Sequence, residues 1–230
     1  MTAGADSVDW RSVAVADGAL DAYWVKPDGA ERAIILLHEI FGVNRPMRKL
    51  ADWFATQGYL VVVPDLFWRF APHLELGYSE AEIAQAIAYS ERLDGEKAVA
   101  DIAATADFVR AAEPGLRGVH LFGLCLGGRL AVAGAAGFEP TSAVALYGVG
   151  IEPDMLARLR SPVQMHFGDH DKYVSKEAIE QIAVAPRSQP VEIHVYEGAG
   201  HGFFNPARPQ SDTGATALAW ERARAFMNGS

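Results

Sequence analysis

At 230 residues the chain has the length of a single domain with a sizeable core, and its balance of 50% hydrophobic and 21% charged residues is that of an ordinary globule. A formal net charge of −9 argues against nucleic acid as a partner, because phosphate binding calls for a basic face. One cysteine excludes an internal disulfide framework, Met1–Trp10 lacks the basic and apolar regions of a leader, and no apolar run approaches a membrane span, so the cytoplasm is the expected location and no membrane partner is expected.

Ser12–Ala16 and Leu20–Val25, joined across Asp17-Gly18-Ala19, read as an antiparallel hairpin. Ala33–Leu37 is a continuous aliphatic strand. Pro46–Gln57 reads as an amphipathic helix ended by Gly58, and Leu60–Val63 as a second buried strand stopped by Pro64. Asp65–Tyr78 is rich in aromatics and has no clear period. Helices over Glu80–Glu91 and Glu96–Ala112 follow, then a strand over Gly118–Phe122 and a helix starting near Leu130. The remainder reads as strand Ala143–Leu146, short helix Asp154–Arg158, strand Val163–Phe167, helix Lys176–Ala183, strand Val191–Val195 and helix Thr213–Met227. Strands alternating with helices predict one α/β domain over 1–230, a mostly parallel sheet with helices on both faces. In such sheets ligands bind beyond the carboxyl ends of the strands.

Three candidate residues lie just past strands. Cys125 stands in Gly123-Leu124-Cys125-Leu126-Gly127-Gly128 between a strand and a helix, the cysteine form of a nucleophile elbow. Small neighbours allow a sharp turn that holds one side chain at the positive end of the helix. The alternative is a small buried hydrophobe, the usual state of a free cysteine. His201 follows in Gly198-Ala199-Gly200-His201-Gly202, a tight loop that suits a base. Asp169 and Asp171, after Val163–Phe167, compete as the orienting acid, and spacing alone does not separate them. The order nucleophile, acid, histidine is that of the α/β-hydrolase fold. His38-Glu39 is not a zincin motif, because Gly42 stands four residues after His38; the elbow glycines do not form a dinucleotide fingerprint; and His166, Asp169 and His170 do not face one side of a strand.

The chain resembles the dienelactone hydrolase family, the Cys-His-Asp branch of the α/β-hydrolases. The matching stretches are His38-Glu39-Ile40-Phe41-Gly42-Val43-Asn44, Gly58-Tyr59 with Pro64-Asp65-Leu66, the cysteine elbow, Tyr147-Gly148-Val149-Gly150, Asp171-Lys172-Tyr173-Val174 and Tyr196-Glu197-Gly198-Ala199-Gly200-His201. They run in family order along nearly the whole chain. The resemblance implies a fold and an activity: a hydrolase of esters or lactones working through a thioester on Cys125, with no metal or organic cofactor. It selects Asp171 as the acid, because the family's acid precedes an aromatic-Val pair. It also implies that Glu39 holds the resting thiol and takes its proton. A nearby carboxylate is expected to keep a thiol protonated; by position alone Glu39 equally suits a solvent-facing helix start.

Backbone N–H groups of Ile40 and Leu126 are the expected oxyanion donors. Phe41, Trp68, Phe70, Tyr147, Phe203 and Asn205 are the expected pocket lining around a small ester or lactone. Family members acting on dienelactone hold its carboxylate with two arginines. Here Asn205 stands at one of those positions, and Glu80–Glu91 has no arginine at the other. With the clamp gone and the aromatics around Trp68, Phe70 and Phe203 as an apolar wall, neutral esters or lactones are the expected substrates; a preference for the free acid would mean that Arg69 or Arg208 has replaced the clamp. A reading from another class is a thiol sensor or small-molecule binding protein on the same fold, which needs an exposed, low-pKa thiol. Oligomeric state leaves no mark in the sequence.

Overall fold

The computed structural model describes residues 9–229, so the leader-free reading of Met1–Trp10 falls almost wholly outside the described residues. Among them no helix is long and apolar enough to cross a membrane. Their strands are β1 (Asp9–Val15), β2 (Gly18–Val25), β3 (Arg32–Leu37), β4 (Tyr59–Pro64), β5 (Gly118–Leu124), β6 (Ser142–Leu146), β7 (Val163–Gly168) and β8 (Val191–Tyr196). They form one sheet in the order β1-β2-β4-β3-β5-β6-β7-β8. The β1–β2 and β2–β4 pairs are antiparallel and all others parallel.

Alternation along the strands divides the core into two layers, because successive side chains face opposite sides of a sheet. Ile35 and Leu37 of β3 join the layer containing Ile102 and Leu130, whereas Ile34 and Leu36 join the one containing Phe54 and Met227. The first layer lies under α3 (Gly95–Ala112), α4 (Leu126–Gly137) and α5 (Lys176–Val184), and the second under α1 (Arg45–Thr56) and α6 (Thr213–Gly229). Strands buried on both faces have no polar side to display, which is why they read as unbroken apolar runs.

From β3 the chain first builds β4 on one side and later β5 on the other. This reversal opens a crevice at the carboxyl ends of β3 and β5, where ligands bind in open α/β sheets. The residues after those two strands are Glu39-Ile40 and Cys125.

Local differences from the sequence reading have local causes. The hairpin turn is the two-residue Ala16-Asp17, since Val15 pairs with Gly18. β5 runs to Leu124 because Gly123 and Leu124 find partners in Ala145 and Leu146 of β6. Pro153–Arg158 winds as a 3₁₀ turn. The aperiodic aromatic segment is pinned by Asp65, whose Oδ1 accepts the Phe67 N–H at 3.0 Å and whose Oδ2 accepts the His73 N–H at 2.7 Å. It leads into α2 (Glu80–Glu91), which starts on a Ser79/Glu82 capping box.

Candidate active site

Cys125 caps α4 with φ 55° and ψ −112°, a conformation that side chains avoid and that stores about 1–3 kcal/mol of strain. Glycines make the turn possible. A Cβ on Gly123 would lie 1.9 Å from the Gly127 carbonyl oxygen, and one on Gly127 would lie 2.1 Å from that of Leu37. The N–H of Cys125 donates to the Leu146 carbonyl at 3.0 Å, tying the elbow to β6. The N–H of Leu126, the first residue of α4, has no acceptor within its own helix.

Asp171 and His201 meet behind the sulfur. His201 Nδ1 lies 2.9 Å from Asp171 Oδ2, and the Asp171 side chain is fully buried. Oδ1 of Asp171 accepts the N–H groups of Tyr173 at 2.7 Å and Val174 at 3.2 Å. With Nδ1 donating to the carboxylate, Nε2 is the ring nitrogen left for the hydrogen bond between His201 and Cys125. Asp169 is occupied elsewhere: its Oδ1 accepts the Gly198 N–H at 2.6 Å and fastens the histidine loop. Burial works to lower the proton affinity of His201, but the bonds to Asp171 and Cys125 outweigh it and raise the imidazole to about 9. The ring is held edge-on by Tyr147 and Tyr173, with centroids 5.0 and 4.8 Å away.

Glu39 is buried beside this pair. Its Oε2 accepts from Asn205 Nδ2 at 2.7 Å, and its Oε1 has no partner among the described residues. The Glu39 carboxylate is thus held by Asn205. Burial pushes the Glu39 carboxyl upward, although Arg208, Asn205 and His201 pull it down. Because its folded value lies above the unfolded one near 4.5, ionisation of Glu39 penalises the fold. That penalty is absent below the unfolded value and grows as pH rises toward the folded one. Glu39→Gln keeps the acceptor for Asn205 and removes the charge. Its melting temperature should therefore exceed the native value by a margin that widens from pH 4 upward, about 2–4 °C for each kcal/mol relieved in a chain of this size. Turnover should fall at the same time. A margin that stays constant with pH would show that Glu39 titrates alike in the folded and unfolded chain.

Cys125, His201, Ile40, Leu126 and Phe41 line one cavity of about 340 Å³, within the range of small-molecule sites. Ile83, Ile87, Ser90, Arg129, Val149, Tyr173 and Arg208 complete its wall. Five of the six expected lining residues, all but Phe41, lie elsewhere or deeper. Trp68 covers Gly18, where a Cβ would sit 2.7 Å from its ring, and its Nε1 donates to Asp101 at 3.0 Å. Phe70 stacks on Tyr89 beneath Arg92. Phe203 is fully buried between Tyr147 and Tyr196. Tyr147 is fully buried under the site, with no hydrogen-bond partner for its hydroxyl among the described residues. Burial, followed by the charges of Glu39 and Cys125, raises its phenol well above the usual value. Loop aromatics were closer in sequence to the core than to the cavity because the segment folds back onto the sheet. Asn205 faces Glu39 and the Tyr78 hydroxyl, at 3.0 Å from the latter.

Of the two replacement cations, Arg69 is spent on Asp17 and Asp101, each at 2.6 Å. Arg208 does line the cavity, its guanidinium carbon 5.1 Å from the ring centres of both Phe41 and Tyr78. Sequence reasoning missed Arg129, although its place four residues after Cys125, one helical turn along the same face, was the available signal. Among the described residues no cluster of His, Cys, Asp and Glu could hold a metal ion.

Residues 20–230 match the model of the dienelactone hydrolase family. Curated relatives include carboxymethylenebutenolidase from Pseudomonas putida, 35% identical over 84% of this chain and 84% of its own. Carboxymethylenebutenolidase 1 from Cupriavidus pinatubonensis is 32% identical over 88% of each chain. A crystal structure from Klebsiella pneumoniae, assigned as a dienelactone hydrolase, superposes with a TM-score of 0.85 at 24% identity, covering 96% of this chain and 98% of its own. The cysteine elbow at the sheet's switch point, the Asp-His pair behind it and a family match over nearly the whole chain make this protein a member of the dienelactone hydrolase family of α/β-hydrolases, a hydrolase of ester or lactone bonds.

Proposed function

We propose that the chain cleaves its ester or lactone through a thioester on Cys125. The observation that carries this reading is the strained Cys125 at the start of α4, on the same cavity wall as a His201 that Asp171 holds from behind. The carboxylate of Asp171 favours a protonated His201, which leaves the thiol's proton to another acceptor. Glu39, with a raised proton affinity and a free Oε1, takes it. The thiolate then attacks the substrate carbonyl, and the N–H groups of Ile40 and Leu126 hold the oxyanion. The imidazolium of His201 gives its proton to the leaving alkoxide. Neutral His201 next takes a proton from water, whose oxygen attacks the thioester and releases the acid and the thiolate, which regains its proton from Glu39. Cys125 is almost wholly buried, which suits a nucleophile reached through a pocket better than an exposed sensor thiol. Acid quenching during turnover of an aryl ester, followed by peptide mass spectrometry, should find the acyl group on Cys125. An acyl group on another residue, or none during a measurable burst, would overturn the thioester.

The pocket also revises the expected substrate. Asn205 and α2 carry no cation, but Arg129 and Arg208 both reach the cavity, half-buried and without a salt bridge among the described residues. Two guanidiniums at the cavity, neither in a salt bridge among the described residues although Arg208 feels the Glu39 charge, favour a substrate bearing an anionic group, whose other end rests on Ile83 and Ile87. A matched pair, one substrate with a free carboxylate and one with it methylated, should show the acid preferred. Arg208→Ala and Arg129→Ala should each cost the acid about 1.5–3 kcal/mol in kcat/KM, roughly 10- to 100-fold, and the methylated partner little. Equal losses for both substrates would remove the anionic group from the proposal.

A further inference from the structure

His38 plays no part in the chemistry above, yet it is fully buried beside it and both ring nitrogens are engaged. Nε2 lies 3.2 Å from the backbone N–H of Leu66 and accepts it. Nδ1 lies 2.6 Å from the carbonyl oxygen of Glu39. Because Nε2 accepts, the ring proton sits on Nδ1 and is donated to that carbonyl. Burial keeps the ring neutral, although the Glu39 carbonyl and Asp65 favour its protonation. The Phe67 ring packs edge-on against it with centroids 5.0 Å apart.

The carbonyl that His38 grips belongs to the same peptide unit as the N–H of Ile40. Every peptide bond among the described residues is trans. In a trans peptide the C=O and N–H point to opposite sides of a rigid plane. Turning the Glu39 carbonyl toward His38 therefore turns the Ile40 N–H away from it. That N–H donates to no atom among the described residues, and Ile40 lines the cavity that holds Cys125. The backbone of His38 is itself wedged against the elbow, where a Cβ on Gly127 would lie 2.9 Å from its carbonyl oxygen. The imidazole thus links the loop after β4, through Leu66, to the Glu39–Ile40 peptide just beyond β3.

We infer that His38 is a positioning residue for catalysis: by holding the Glu39 carbonyl it aims the Ile40 N–H at the point above Cys125 where the substrate oxygen becomes negative. The inference rests on the thioester reading, in which that N–H is one of two oxyanion donors. A misaimed donor weakens stabilisation that exists only in the transition state, so kcat falls and KM stays.

His38→Phe keeps the ring volume and removes both hydrogen bonds. It should lower kcat for an aryl ester about 100-fold, the loss typical of one oxyanion donor, with KM little changed. His38→Gln can donate to the Glu39 carbonyl and accept from Leu66, and should restore most of the rate. Alkylation of Cys125 by iodoacetamide displaces iodide at a saturated carbon and builds no oxyanion, so its rate should be native in all variants. Should His38→Phe fail to fold, His38→Asn, too short to span both partners, should show the same fall in kcat at native KM. Native kcat in the Phe or Asn variant, no rescue by Gln, or alkylation slowed in step with acylation would overturn the inference. The underlying reading fails separately: native protein without ester turnover, or Cys125→Ala as active as native, would remove the thioester itself.

Discussion

Cys125→Ala should abolish ester hydrolysis, a loss of at least about 10³-fold, with circular dichroism unchanged. Removing the proposed nucleophile leaves the proposed oxyanion donors and the pocket, which would retain only the residual acceleration that such sites show without it. The fold has no stake in the sulfur beyond its bond to His201, since the elbow is held by the glycine contacts and by the Cys125 N–H to Leu146. Cys125→Ser is a sterner test of the proposed proton route. A hydroxyl holds its proton far more tightly than a thiol, and Glu39 is matched to the thiol, so the serine variant should keep little activity. Native turnover in the alanine variant would mean that another group attacks the substrate.

Asp171→Asn should cost about 10⁴-fold in kcat while leaving the loop in place. The side-chain carbonyl of asparagine can still accept the N–H groups of Tyr173 and Val174, as Oδ1 does now. Its NH₂ then faces His201 Nδ1, where a carboxylate oxygen stood at 2.9 Å. The opposite rotamer would set that NH₂ against two backbone donors. Nδ1 must therefore become the acceptor and the ring proton moves to Nε2, the wrong tautomer for a base acting on water; this is the loss known for Ser-His-Asp sites. Asp169→Asn is the control. Asp169 serves only to tie Gly198 in the histidine loop, so its variant should retain turnover within a few-fold of native. Equal losses in the two variants would make the effect one of loop order instead of tautomer.

The raised imidazole and the buried Glu39 are linked through the fold. Both lie in the crevice that the strand order opens between β3 and β5, and each alters the proton balance of the other. A carboxylate that penalises folding and an elbow residue at positive φ are the kind of strain retained where chemistry requires it.

Much of this protein was legible in the chain itself. Apolar runs such as Ala33–Leu37 and Leu60–Val63 marked the buried strands because a strand covered on both faces carries no polar alternation. Gly123, Gly127 and Gly128 around Cys125 marked the elbow because only glycine fits where backbone atoms would lie 1.9–2.8 Å from a Cβ. The aspartate and histidine were visible as residues just past strands. What the chain did not reveal were relations between segments far apart in sequence. Asp169 and Asp171 are equivalent by spacing; the family resemblance pointed to Asp171, but the physical reason, one carboxylate brought to His201 and the other to Gly198, lies in the fold. The aromatics of the segment after β4 looked like a pocket wall, but burial of their large apolar area draws them onto the sheet and α3. The cavity instead received Ile83 and Ile87 from α2, Arg129 from the elbow helix and Arg208 from beyond the histidine loop. Local sequence determines how each segment folds, through periodicity, capping and glycine. Which side chains share a cavity depends on the sheet order and on where long loops find burial, and only the tertiary structure decides that.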